Sequence, residues 1–575
     1  MSRKTSLIFY YLFLFGSLLL VRCLSVPENI DREFDSERTK INGRVMDENL
    51  SPVEGAVVRV KTTQLFVISD AEGRFFFPNL DPNQQEKITA WSPGYFIGGG
   101  DSVTPGSEEV EIVLVKHHTI DNPEYEWLTS LKSSDGHGEN QGCAKCHSNE
   151  GSDITTPLPV DEWLLDAHSQ SAVNQRFLSM YIGSDLAGNK SPPTRFANSV
   201  DYGTLPLPPD DSQPYYGPGY KLDFPGQAGN CAACHVPLDA IHSPYGVDPT
   251  AISDIAQEGV SCDFCHKISD IKLSPATGLP LSNMPGVLSY EFLRPPDGHQ
   301  FFAGPLDDVA PGEDTYLPLE RESQFCAGCH YGVFWDTSIY NSFGEWLESP
   351  YSDPETGQTC QDCHMVPSGV RMFALPESGG EDRDPATLFS HRMPGASDIK
   401  LLQNALTMNV NVFQDDHQII VEVTLLNEKT GHHVPTDSPL RHLLLLVEAQ
   451  NPDGMPLPLV EGPTLPDWAG KGDPELGYFA GLPGKAYAKV LKELWTEISP
   501  TGAYWNPTSI VSDNRLGVND SDKTQYVFTS QNEDPITIIV KLFYRRAYID
   551  LMDQKSWDVP DILMEYYQST LDNQH

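Results

Sequence analysis

The chain has 575 residues, enough for three or four domains, with 80 acidic residues against 38 basic and a net charge of −42. That balance argues against nucleic acid and anionic membrane surfaces as partners. It suits the solubility of an exported protein, or a field that steers basic partners and cationic metal species.

Residues 1–25 read as a secretory signal peptide. Arg3 and Lys4 give a positive start, and the apolar run from Leu7 to Val21, broken only by Gly16 and Ser17, is short for a membrane span. A retained anchor helix is the competing reading of this run. Cys23 either carries the lipid of a lipoprotein, with Arg22 a poor fit to the small residue expected before it, or leaves with the signal. Residues 26–39 form a linker, and no later stretch is apolar enough to cross a bilayer.

Residues 40–116 contain no cysteine. Short runs rich in Val, Ile and Phe alternate with turn residues such as Asn49, Pro52, Gly55, Asp70 and Gly73, the habit of a β-sandwich. Gly43-x-Val45-x-Asp47, Pro52-Val-x-Gly-Ala56 and Asp70-x-x-Gly73-x-Phe75 together resemble the carboxypeptidase regulatory-like (transthyretin-like) domain. The resemblance implies an accessory β-sandwich without catalysis.

Residues 117–400 hold five copies of Cys-x-x-Cys-His, which use ten of the eleven cysteines. They are Cys143, Cys146 and His147; Cys231, Cys234 and His235; Cys262, Cys265 and His266; Cys326, Cys329 and His330; and Cys360, Cys363 and His364. Chance placement of 11 cysteines and 17 histidines yields roughly 0.006 such strings in a chain this long, and the string is the attachment signature of c-type haem. Two thiols add to the porphyrin vinyl groups, and the histidine binds iron from below. Zinc is the rival, but two pairs make one tetrahedral site, so five pairs leave one over, and neither zinc nor a disulfide scaffold calls for the adjacent histidine. The expectation is five covalent haem c groups (iron) in a loop-rich, mainly α domain whose porphyrins supply much of the core. The clearest helix is expected to start at Asp161 as N-cap, with Trp163, Leu164, Ala167 and His168 on one side.

Residues 401–575 return to strand-like runs at 408–413, 418–425, 443–448 and 536–543, with a turn at Asn451-Pro-Asp-Gly454. A second β-sandwich is expected here, with a helical tail from Val559 to Leu571.

The sixth ligand of each iron decides function, because a histidine or methionine there gives an electron carrier and an open position gives a binding site. His117, His118 and His575 lie at a domain joint or terminus. His417 and His442 fall in or beside strands, where structural roles are expected. The distal candidates are His168, His242, His299, His391 and His432, with His433 and His137 in reserve. Five candidates for five irons suggest bis-histidine ligation throughout.

Glu258-Gly-Val-Ser-Cys-Asp-Phe-Cys-His266, Glu345-Trp-Leu-Glu-Ser-Pro-Tyr351, Thr359-Cys-Gln-Asp-Cys-His-Met365, His391-Arg-Met-Pro-Gly395 and Gly431-His-His-Val-Pro-Thr436 resemble the exported multihaem cytochromes related to cytochrome c-554, over residues 140–545. The resemblance implies electron transfer between closely packed haems, ligated largely by His/His. The expected partners are redox proteins acting as donor and acceptor, with docking or self-assembly through the β-domains, in the periplasm or at the cell surface. The alternative is a multihaem reductase or oxidase of a small nitrogen or sulfur compound, such as nitrite or hydroxylamine, at one open haem. The more distant pentahaem nitrite reductases typically replace one motif histidine by lysine, whereas all five here are histidine. No phosphate loop, nucleophile elbow or non-haem metal motif suggests other catalysis, and no residue is assigned as catalytic.

Overall fold

The computed structural model describes residues 39–106, 109–131, 142–415, 418–529 and 535–571. The signal peptide, Cys23, the reserve ligand His137, and His417 and His575 lie outside the described residues.

The N-terminal domain is a two-sheet sandwich. Strand Ile41–Asp47 lies between Arg74–Phe77, antiparallel to it, and Val110–Leu114, parallel to it. The facing sheet runs Phe66–Ile68, Val57–Val60, Glu86–Trp91, Gly98–Val103. Alternation sends Ile41, Val45, Val58, Val60, Phe75 and Phe77 into the core between them. The motif residues have mechanical roles. The Asp70 carboxylate accepts from the backbone N–H of Glu72 (3.0 Å) and Arg74 (2.7 Å), closing a turn. That turn needs Gly73 at φ +77°, where a Cβ would lie 2.3 Å from the Val45 carbonyl oxygen.

This sandwich is bolted to the central domain through residues 307–316. Arg59 makes a forked pair with Asp307 (2.6 and 2.8 Å), and the Thr62 N–H donates to Asp308 (2.7 Å), which also accepts from Arg383 (2.8 Å). The Trp91 indole donates to the Thr315 hydroxyl at 3.1 Å.

The central domain is rich in loops. Its α-helices are four to eight residues long, joined by loops and by two-stranded ribbons such as Ile268–Ile271 with Tyr290–Phe292 and Gly332–Phe334 with Thr337–Tyr340. Helices this short do not persist alone, so packing and capping hold them. The Asp161 helix is a case in point: it spans Pro159–Trp163, starting before the expected N-cap. Asp161 sits inside the first turn and its carboxylate reaches back to the Leu158 N–H (2.8 Å), while Pro159 starts the turn. Residues 164–173 continue as turns, so His168 is carried by a loop.

The C-terminal domain is the second sandwich. One sheet runs Thr407–Asp415, Gln418–Leu426, Ser521–Thr529, Leu459–Glu461. The other runs Thr508–Asp513, Gly484–Glu493, His442–Gln450, Ile536–Arg545, Ile562–Leu571. The Leu443–Val447 run is buried on both faces: Leu443, Leu445 and Val447 enter the inter-sheet core, and Leu444 and Leu446 pack beneath Leu465 and Phe479. Each such side chain contributes about 1.5–3 kcal/mol relative to exposure.

The expected helical tail is a strand. Ile562–Leu571 pairs antiparallel with Ile536–Arg545, and the helix falls earlier, at Ile549–Lys555. The open backbone edge of Ile536–Arg545 offers a ladder of hydrogen bonds, and Ile562 and Met564, two apart, bury on the core side. Among the described residues no helix is long and apolar enough to cross a membrane.

Candidate cofactor-attachment centre

Each Cys-x-x-Cys-His string forms or ends a short helix of one or two turns: Ala144–His147, Ala232–His235, Cys262–Cys265, Gln324–His330 and Cys360–His364. Spacings of three and four bring both thiols and the imidazole to one side of such a turn. The turns are locally enforced. Ser261 Oγ accepts from the Phe264 N–H (3.4 Å), and Thr359 and Asp362 cap each other, with the Thr359 N–H donating to the carboxylate at 2.8 Å.

Every motif histidine has its Nδ1 opposite an acceptor. His147 faces the Phe373 carbonyl (2.7 Å), His235 that of Ser171 (3.3 Å), His266 that of Ala303 (2.7 Å) and His364 that of Pro394 (2.7 Å). His330 faces the Asp437 carboxylate (3.3 Å). A carbonyl only accepts, so on His147, His235, His266 and His364 Nδ1 carries a proton, and Asp437 holds Nδ1 of His330 likewise, which leaves Nε2 as the nitrogen that can bind a metal. The side chains present therefore fit an iron porphyrin at each turn.

Two imidazoles trans on one metal, with metal–nitrogen bonds of about 2 Å, have ring centres about 6.3 Å apart. Three of the five distal candidates stand at that separation from a motif histidine. His168 lies 6.2 Å from His330, His391 lies 6.5 Å from His266, and His432 lies 6.2 Å from His364, ring centre to ring centre. His168 Nδ1 is held by Asp166 (2.6 Å) and His432 Nδ1 by the His433 carbonyl (2.9 Å). The backbone N–H of His391 is held by Glu162 (2.7 Å). Burial, reinforced by His266 and His147, pushes His391 down to about 4, so its ring is neutral.

The other two candidates go elsewhere. His242 lines a cavity of about 550 Å³ with Tyr125 and Trp127, its Nε2 3.4 Å from the Arg294 guanidinium. His299 is 59% exposed and bonds Glu313 at 2.8 Å. Pro-rich loops carry both, and a charged neighbour claims each ring. The reserve residue His433 lies 3.5 Å from Glu345. Among the described residues neither His147 nor His235 has a second histidine ring opposite it. Phe177 stacks on His235, with ring centres 3.9 Å apart and planes 5° from parallel.

The turns touch one another. Thiols meet across motifs as Cys143 with Cys262, Cys234 with Cys329, and Cys326 with Cys360. They meet in twos, where tetrahedral zinc would gather four. No disulfide joins the ten.

Not every predicted thioether cysteine shares in these contacts. Cys146 is a half-buried free thiol outside the cross-motif pairs, and Cys143 makes the contact for its turn. What ties Cys146 to its surroundings is backbone, because its carbonyl accepts from the Leu375 N–H at 2.8 Å, two residues from the Phe373 carbonyl that holds His147. At the last turn Cys363 is exposed while Cys360 meets Cys326. Two thiols three residues apart point some 60° away from each other around a helical turn, so one can face a neighbouring turn while the other faces elsewhere.

The sequence carried no signal for two carboxylates behind the motif histidines. Burial works against a charge on His266 and His330, yet Glu320 raises the first and Asp437 the second to about 9, so each of these rings would bind a metal by giving up its Nε2 proton. Asp437 comes from the C-terminal sandwich, the same segment that delivers His432.

Residues 40–114 match the carboxypeptidase regulatory-like domain. No curated protein matches the chain. Among solved structures, a pentahaem cytochrome c552 from Thermochromatium tepidum is similar at 16% identity and a TM-score of 0.49, over 75% of this chain and 97% of that one.

Proposed function

We propose that the chain is an exported pentahaem c-type cytochrome that carries electrons along closely packed haems. One observation supports this most: five Cys-x-x-Cys-His turns, each with Nδ1 of its histidine committed to an acceptor and Nε2 left free. When bound, the porphyrin irons would take up and pass on single electrons. The protein's part is to anchor, bury and ligate. In this reading His168, His391 and His432 are the distal partners of His330, His266 and His364. The cross-motif thiol contacts support two runs of neighbouring attachment sites, with the His330 motif touching those of His235 and His364, and the His147 motif touching that of His266. The accessory sandwiches dock redox partners or further copies of the chain, and Cys23 serves as a lipid anchor if it survives processing.

A second reading has an observation of its own. His147 and His235 face no second histidine among the described residues, so one of these sites would serve a reductase or oxidase of a small nitrogen or sulfur compound.

The test is haem-stained mass spectrometry of mature protein, followed by optical spectra. Five porphyrins and a wholly low-spin spectrum, unchanged by nitrite, hydroxylamine or carbon monoxide, are expected for the carrier. A high-spin fraction that shifts on ligand addition favours the enzyme. Colourless or zinc-bearing protein refutes both.

A further inference from the structure

Buried arginines in this protein are normally paired. Arg545 forks onto Asp561 (2.7 and 2.7 Å), Arg383 onto Asp308 (2.8 Å), and Arg515 bridges Asp513 (2.8 Å) and Glu345 (2.7 Å). A guanidinium withdrawn from water without a carboxylate is costly, so this is the expected pattern.

Three half-buried arginines break it, and they are together. Strand His442–Gln450 pairs with Ile536–Arg545 so that His442 faces Arg545, which places Arg441 and Arg546 beside each other just beyond the end of that ladder. The Gln175–Ile182 helix packs against the same end: Met180 joins Ala547 and Tyr548 in one apolar cluster. Arg176, one turn before Met180, therefore reaches the same place. Arg176 and Arg546 have no side-chain hydrogen-bond or ion-pair partner among the described residues, and Arg546 Nε is buried without an acceptor. Arg441 donates only to the Thr436 carbonyl (3.2 Å). Its one acidic neighbour, Asp437, already accepts from His330 (3.3 Å) and the Ser342 N–H (3.1 Å). Burial, then the charges of Arg546 and Arg441, hold Arg176 below its usual range, so the cations act on one another.

The cluster borders the second attachment turn. Phe177, next to Arg176, stacks on His235. Tyr340 and Tyr504, hydroxyl to hydroxyl, stand within electrostatic reach of Arg441 and of both Cys231 and Cys234. In a chain of net charge −42, Arg176 and Arg546, which lack side-chain partners among the described residues, converge on Arg441 and form a local positive well.

We infer that Arg176, Arg441 and Arg546 form a binding site for one small oxyanion or carboxylate beside the Cys231–His235 turn. The planar fork of each guanidinium matches such a group. Two sources supply this chemistry: a free oxyanion such as nitrite or sulfite, or a propionate of the porphyrin held at that turn. Only the second source rests on the function proposed above.

The test uses mature protein, with Arg546→Gln, Arg176→Gln and Arg546→Lys, each checked by circular dichroism and haem content. Calorimetric titration with nitrite and sulfite, with chloride as control, reads the free-anion source. One site per chain is expected, weakened at least tenfold in both Gln variants and partly restored in Arg546→Lys. Redox titration reads the propionate source. There no added anion binds, and one midpoint potential falls in the Gln variants, because a cation that disfavours the ferric form has gone. No anion binding together with unchanged potentials overturns the site. Protein without haem refutes the function proposed above, yet calorimetry on it still decides the free-anion source, where no binding overturns the site.

Discussion

The imidazole rings of His364 and His432 stand 6.2 Å apart, centre to centre, and lie 15° from parallel. The two residues belong to different domains. His364 ends the last attachment turn, and His432 lies in the loop before the buried strand His442–Gln450 of the C-terminal sandwich. Five residues after His432, Asp437 reaches a different motif histidine, His330. The C-terminal sandwich thus supplies part of the attachment centre.

Replacing His432 by alanine removes a ring and leaves every thiol and motif histidine in place. The haem count is expected to stay at five while one iron turns high-spin and binds carbon monoxide. Electron paramagnetic resonance before and after carbon monoxide checks this, and an unchanged low-spin spectrum would place the distal ligand elsewhere. His168→Ala and His391→Ala are expected to behave alike.

Asp437→Asn keeps an oxygen near His330 Nδ1 and deletes the charge. A carboxylate roughly 8 Å from an iron, at an effective dielectric constant of about 20, would favour the ferric form by on the order of 2 kcal/mol, or about 90 mV. One of five midpoint potentials should rise by about that much. Five unchanged potentials would mean that no iron sits above His330.

His442 tests acid stability apart from the haems. Its ring is buried against Tyr548, 4.9 Å centre to centre, and burial pushes its pKa down to about 3. The unfolded chain binds this proton near pH 6.5 and the folded one does not. Its share of stability is therefore full above about 6.5 and declines as pH falls toward 3, by up to about 1.4 kcal/mol per pH unit. Denaturant titrations from pH 7 to 4 should show a shallower slope in His442→Gln. An equal slope would count against a neutral buried ring.

Asp308→Ala strands Arg383, whose side chain is 4% exposed, and removes the acceptor for the Thr62 N–H. Leaving one partner of a buried pair costs about 3–5 kcal/mol. A lower melting temperature is expected, with earlier proteolysis at the joint of the N-terminal and central domains. Arg59→Ala, which breaks a more exposed pair with Asp307, should cost about 1 kcal/mol or less.

What could be read from the chain was local. Cysteines three apart with a histidine next door define a short helical turn whatever surrounds it, because that spacing brings all three side chains toward one side. Alternation in Ile41–Asp47 and Gln418–Leu426 likewise specifies a half-buried strand, and the Asp70–Gly73 turn is written in four residues. Long-range partners were not legible. Nothing in the string told Cys143, which meets another turn, from Cys146, which does not. His168, His391 and His432 could not be told from His242 and His299 by sequence, since loop closure and packing settle which ring meets which across 68 to 162 residues. The segment 562–571 has residues that suit a helix, but the free edge of Ile536–Arg545 makes it a strand. Arg176, Arg441 and Arg546 are separated by more than a hundred residues at each step, and a helix face and the end of a strand ladder bring their charges together.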